Sequence, residues 1–140
     1  MIGLDTNVLA RYYIEDEGDH EAQHQRQAAR ALIEGGEALA VCKTVLLEFE
    51  WVMRGYYGFK RKEIVRVLEH LLALPHAEIE ERGQVERALS LYREGFDFAD
   101  ALHHAAYEHC NRMASFDDRK FSRRAKRLGL SPSVFIPRHS

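Results

Sequence analysis

Four of the 22 acidic side chains in this 140-residue sequence stand out because of what surrounds them. Asp5 ends the apolar run MIGL and Asp117 follows MASF, so each is expected at the carboxyl end of a short strand. Glu48 lies inside TVLLEFEWVM, among apolar neighbours. Asp100 sits near the start of the helix-like segment FDFADALHHAAY. Burying an unpaired carboxylate is costly, so acids in such settings need a compensating partner. Four of them meeting in one crevice would repel one another. A hard divalent cation, Mg²⁺ or Mn²⁺, would relieve the conflict, because oxygen ligands suit it. A cation held this way lowers the pKa of a bound water and neutralises charge developing on a phosphate, which is the chemistry of phosphodiester hydrolysis. Each acid also has a plainer reading. Asp5 and Asp117 fit helix N-caps after strands. Asp100 fits a first-turn acid favoured by the helix dipole, and Glu48 could face solvent beside Glu50.

Elements that would position these acids alternate along the chain. Strands are expected at 2–4, 39–41, 77–79 and 112–115, with a last edge strand at 133–135. Helices are expected at 6–13, 20–34, 44–54, 60–73, 83–94, 98–109 and 118–127. Thr6 and Asn7 open the first helix, Gly35 and Gly36 end the second, and Pro75 follows the fourth. This β-α-β-α order predicts an α/β fold of three layers, α/β/α, around a central mostly parallel sheet of four to five strands. Length and the absence of linkers predict a single domain over residues 1–140. In open α/β sheets the functional crevice lies beyond the carboxyl ends of the strands, where Asp5 and Asp117 are expected.

Composition narrows the class. Hydrophobic residues make up 46% and charged residues 30%, which favours a globular fold over disorder. No uncharged apolar run approaches the ~20 residues of a membrane helix. The start, MIGLDTNVLARYY, lacks the basic region of a secretory signal. Cys42 and Cys110 sit in apolar surroundings and are expected as buried free thiols in a reducing cytoplasm. Residues 1–59 carry 5 basic and 10 acidic side chains, a net −5, and residues 60–140 carry 15 and 12, a net +3, for −2 in all. The stretch RKFSRRAKR, 119–127, has six basic residues and no acid, which suits either a polyanionic partner or a solvated helix face.

One rival motif is present. Residues 20–24 read H-E-A-Q-H, matching the H-E-x-x-H zinc pattern. Helical spacing puts His20 and His24 roughly opposite Ala22, Ala29, Leu32 and Ile33, so the pair should face solvent rather than a buried zinc. A phosphatase built on a strand-end Asp nucleophile would want a second acid two residues on, and Asn7 stands there. No serine lies in a G-x-S-x-G turn. His103 and His104 are expected to be structural or at the surface.

Together, IGLDTNVL, the acid in VLLEFEWVM, DFADALHHA and SFDDRKF resemble the PIN-domain family, and most closely the VapC-type toxins of toxin–antitoxin pairs. The resemblance spans nearly the whole chain, in order. It implies an Mg²⁺- or Mn²⁺-dependent ribonuclease, with Asp5, Glu48, Asp100 and Asp117 as metal ligands and catalytic acids. Ser115 replaces the usual Thr two residues before the last acid, and D-x-x-F spacing to Phe121 would favour Asp118 over Asp117. Thr6 and Asn7 would orient the Asp5 carboxylate or a phosphate. Asp97 would at most support Asp100. Arg119, Lys120, Arg123, Arg124, Lys126 and Arg127 would meet the RNA backbone, with Ser115 close to the substrate. The resemblance also implies a homodimer, blocked by an antitoxin lying in a groove near Phe49, Trp51, Tyr56, Tyr57 and Phe59, although Phe49 and Trp51 equally fit a core. A non-catalytic RNA-binding PIN domain is the alternative, and loss of acids would mark it.

Overall fold

The computed structural model describes residues 1–16 and 18–139. The chain divides into two compact units, Met1–Arg82 and Gly83–Ser140. The first unit is built on three short parallel strands, β1 (Ile2–Gly3), β2 (Leu39–Val41) and β3 (Ala77–Ile79), in the order β1-β2-β3. Ile2 pairs with Leu39, and Leu39 with Ala77. Leu39 and Val41 on the middle strand are buried, so this strand is apolar on the positions that matter for packing. Parallel pairing demands long crossovers. Helices α1 (Thr6–Tyr13) and α2 (His20–Glu34) supply the first, and α3 (Lys43–Trp51) and α4 (Arg61–Ala73) the second.

Helix boundaries follow local chemistry. The Asp19 side chain accepts from the Glu21 N–H at 2.9 Å and starts α2. The Glu63 carboxylate accepts from the Lys60 N–H at 2.8 Å and starts α4. Leu74, extended ahead of Pro75, stops it. The core of this unit gathers Leu9, Ile33, Leu46, Phe49, Met53 and Ile64, all fully buried.

The second unit holds α5 (Arg82–Arg93, whose first residue closes the first unit), α6 (Phe98–Ala106), β4 (Arg112–Ala114), α7 (Arg123–Leu128) and β5 (Ser133–Phe135). Strands β4 and β5 pair in parallel. The rings of Tyr92 and Phe98 meet edge-on at 5.4 Å, and those of Phe96 and Phe121 at 6.1 Å. His104 is buried beside Phe121 and its Nε2 donates to the Pro132 carbonyl at 2.8 Å, a structural role.

The α/β class and, among the described residues, the five strands agree with the sequence. Their grouping differs: the expected single sheet is a three-stranded sheet in one unit and a two-stranded sheet in the other. Three helices also depart from expectation. The helix expected at 44–54 is α-helical only to Trp51, then runs as a π-helical turn over Val52–Tyr56. The helix expected at 118–127 opens as a π-helical turn, Asp118–Ser122, before α7. Helix α6 ends at Ala106, three residues early, because the chain turns through Tyr107 and the Cys110 N–H bonds the Tyr107 carbonyl. The cysteines correct a further expectation, since both are exposed. Cys42 caps α3 just beyond β2, where the chain leaves the core, and a hydrogen bond with Thr44 at 3.3 Å draws its thiol below the ordinary range. Among the described residues no helix is long and apolar enough to cross a membrane.

Leu39 is fully buried on the middle strand, so Leu39→Ala should cost roughly 2–5 kcal/mol of stability. Urea unfolding of the variant should show an earlier midpoint, and an unchanged midpoint would contradict the packing described.

Candidate active site

The first unit holds Asp5 and Glu48. Asp5 follows β1 and caps α1, with its Oδ1 accepting from the Thr6 N–H at 2.7 Å. Capping uses one carboxylate oxygen and leaves the other for further bonds. Thr6 is buried, and its hydroxyl donates to Glu48 Oε1 on α3. This bond fixes the α3 acid beside the residue that follows the strand-end acid. Both carboxylates line one cleft of about 520 Å³, with Thr6, Asn7, Trp51 and Tyr56 also in its wall. Glu48 is exposed into it, whereas Glu50, two residues on, is the buried acid and pairs with Arg54 at 2.8 Å. The apolar context of TVLLEFEWVM therefore marks Glu50's burial, and the helix turns Glu48 outward.

The second unit holds Asp100 and Asp117. Asp97 caps α6, accepting from the Asp100 N–H at 3.1 Å, which places the Asp100 carboxyl in the first helical turn. Partial burial raises the Asp100 carboxyl above its ordinary range, and the charges of Asp97 and Asp117 push it further the same way. His103 and Lys120 offset part of this. Asp117 is exposed. Its N–H donates to the Ser115 hydroxyl at 3.1 Å, and its Oδ1 accepts from the Lys120 N–H at 3.0 Å. Asp118 is ion-paired with Arg123 at 2.8 Å. Asp117 is one of the two acids whose charges raise the Asp100 carboxyl. The plain capping reading holds for Asp5 and Asp117 alike.

The basic segment divides. Arg119, Lys120, Lys126 and Arg127 are exposed, and Arg123 is engaged with Asp118. Arg124 stands apart from the expectation of substrate contact. Its guanidinium donates to the Gly95 carbonyl at 2.9 Å and lies over the Phe96 ring at 5.2 Å. Of the aromatic stretch, Phe49 is core, whereas Trp51, Tyr56 and Tyr57 line the acidic cleft. His20 and His24 are exposed while Ala22, Ala29 and Ile33 are buried, the orientation that argues against a buried zinc site.

The donor set, carboxylates and hydroxyls, suits a hard divalent cation rather than a soft or imidazole-preferring one. An acid held above its ordinary range by burial, and further by neighbouring carboxylates, is also a place where added positive charge is favourable. Among the described residues no three Asp, Glu, His or Cys side chains are already gathered at metal-binding spacing.

The PIN-domain family model matches residues 2–127. The chain belongs to the PIN-domain family, and its fold is accordingly of a nuclease type. No curated protein matches the chain.

The raised Asp100 carboxyl has a consequence for stability. A group whose folded pKa lies above its unfolded value, near 3.8, adds stability below that value and loses it as pH rises through the folded pKa. Asp100→Asn should therefore melt higher than the wild type at pH 7 without metal, with the difference vanishing near pH 3. Equal melting temperatures at pH 7 would contradict the upward shift that burial, with the charges of Asp97 and Asp117, imposes on Asp100.

Proposed function

We propose that this PIN-domain protein is a divalent-metal-dependent endoribonuclease, with Asp5, Glu48, Asp100 and Asp117 as ligands of Mg²⁺ or Mn²⁺. The observation that carries the reading is the first unit's cleft, where a strand-end acid and a helix acid are tied through the Thr6 hydroxyl. The coupled acids of the second unit support it. Bound metal would supply water activation and charge neutralisation at the scissile phosphate. The protein's own groups do the rest. Thr6 orients Glu48, Ser115 holds the backbone of Asp117, and Asn7, in the cleft wall, would contact a phosphate. Arg119 and Lys120, with Lys126 and Arg127, present exposed cations to the RNA backbone. The family match runs across both compact units, which supports reading them as one PIN domain.

The finer assignment is a toxin of a type II toxin–antitoxin pair, acting in the cytoplasm as a homodimer and restrained by an antitoxin protein. The VapC-like motifs IGLDTNVL and DFADALHHA support it. Arrested growth on expression, relieved by a small protein encoded beside it, is the test.

Asp5→Asn and Asp100→Asn should each abolish RNA cleavage in a gel assay while keeping the circular dichroism of the wild type. Excess EDTA should do the same, with Mn²⁺ restoring activity. Full cleavage in either variant or in EDTA would overturn the proposal. His20→Ala combined with His24→Ala should leave cleavage undiminished, and a large loss would revive the zinc reading. Lys120→Ala should flatten the dependence of log affinity on log salt by about 0.7 for a single strand. An unchanged slope would remove Lys120 from the RNA interface.

A further inference from the structure

The acidic cleft of the first unit has an aromatic wall that metal chemistry does not require. Trp51 closes α3, three residues after Glu48, so the two side chains share a helix face. The next turn is π-helical, with the Tyr57 N–H bonded to the Val52 carbonyl five residues back at 3.1 Å. An α-turn would rotate Tyr56 well off the Trp51 face. The wider turn brings residues five apart closer to line, and Trp51, Tyr56 and Tyr57 all reach the cleft. Such turns recur at functional sites.

Three features show that the wall is held open. Trp51 is 56% exposed and Tyr56 75% exposed, a poor use of apolar surface unless something covers them. The indole is positioned by Gly55: a Cβ there would lie 3.3 Å from the Trp51 ring, so glycine lets the ring lie against the helix backbone. The rings of Tyr56 and Tyr57 brace each other edge-on at 4.8 Å.

The rest of the lining decides what fits. Beside the rings stand Asp5, Thr6, Asn7, Arg11 and Glu48, and the aliphatic contribution is only Ala10 and Val52. An apolar peptide helix would want an aliphatic trough. A nucleobase wants a flat π-surface with hydrogen-bonding groups at its edge, which is what this wall offers.

We infer that Trp51, with Tyr56 and Tyr57, forms a stacking platform for an unpaired base of the RNA strand, next to the Asp5–Glu48 acids. The inference rests on the ribonuclease reading for the identity of the strand. It makes the substrate single-stranded at that nucleotide, because a paired base in a duplex keeps both faces stacked. Stacking places the neighbouring phosphate toward the acids and contributes to binding rather than to proton transfer.

Trp51 is the sole tryptophan, so its emission reports directly on the platform. The full chain is titrated in EDTA with a short unpaired oligoribonucleotide, with the same sequence as a duplex, and with an abasic strand of equal charge. Saturable quenching by the unpaired strand, and little by the other two, is expected. Labelled-strand anisotropy should show Trp51→Ala weakening binding about tenfold and Trp51→Phe retaining most of it. Absent quenching, equal quenching by duplex or abasic strand, or unchanged affinity in Trp51→Ala would overturn the platform, the last result leaving the wall to a protein partner. Each outcome is independent of cleavage. Quenching without cleavage in Mn²⁺ would keep the platform and reject the nuclease, and cleavage without quenching would do the reverse.

Discussion

Parallel pairing at β2 is the constraint from which the arrangement of the first unit follows. The Ile2 N–H bonds the Ala38 carbonyl and the Leu4 N–H bonds Ala40, each at 2.9 Å, while the Leu39 N–H bonds His76 on the other side. Parallel strands end on the same edge of their sheet. Asp5, Cys42 and Glu80 consequently follow β1, β2 and β3 along one rim. The next helix must start there, with its unsatisfied N–H groups exposed to whatever the rim presents. Asp5 meets that need for α1 with its own carboxylate, and Glu80 meets it for α3 by accepting from the Lys43 N–H at 2.8 Å. Acids gather at this edge because helices begin there, before any ligand is considered.

That double duty explains why Asp5 and Asp117 read equally well as caps and as ligands. Each holds a helix start, through Thr6 and Lys120 respectively, and each still has an oxygen to offer. Capping fixes the carboxylate's direction, so the same bond that stabilises the helix preorganises the acid. A site of this kind needs no strained backbone and no special nucleophile.

Much of this was readable from the residues. Strand–acid–helix order at Asp5 is carried by an apolar run, a capping residue and an amphipathic segment, and these local signals agree. Glu48 shows the limit. Apolar neighbours suggest burial, yet helical rotation buries Glu50 and exposes Glu48, and two positions on one turn cannot be told apart by context alone. Two spacings compete over the fourth acid, Ser-x-Asp favouring Asp117 and D-x-x-F favouring Asp118, and the structure adds that Asp118 is ion-paired with Arg123. The cysteines misled because strand ends and helix ends lie at the surface even when their neighbours are apolar. Arg124 looked like one more member of a basic run, and only the fold brings the Gly95 carbonyl to it.

The two π-helical turns carry a further consequence. A π-turn holds one residue more than the α-turn it interrupts, so each behaves like a single-residue insertion inside a helix. One falls at Val52–Tyr56 and the other at Asp118–Ser122, beside the acids of each unit. A relative whose helices run there without the extra residue would align with this chain only through a one-residue gap. Written without that gap, everything beyond would be compared one helical step out of phase, and side chains that occupy the same face would look unrelated.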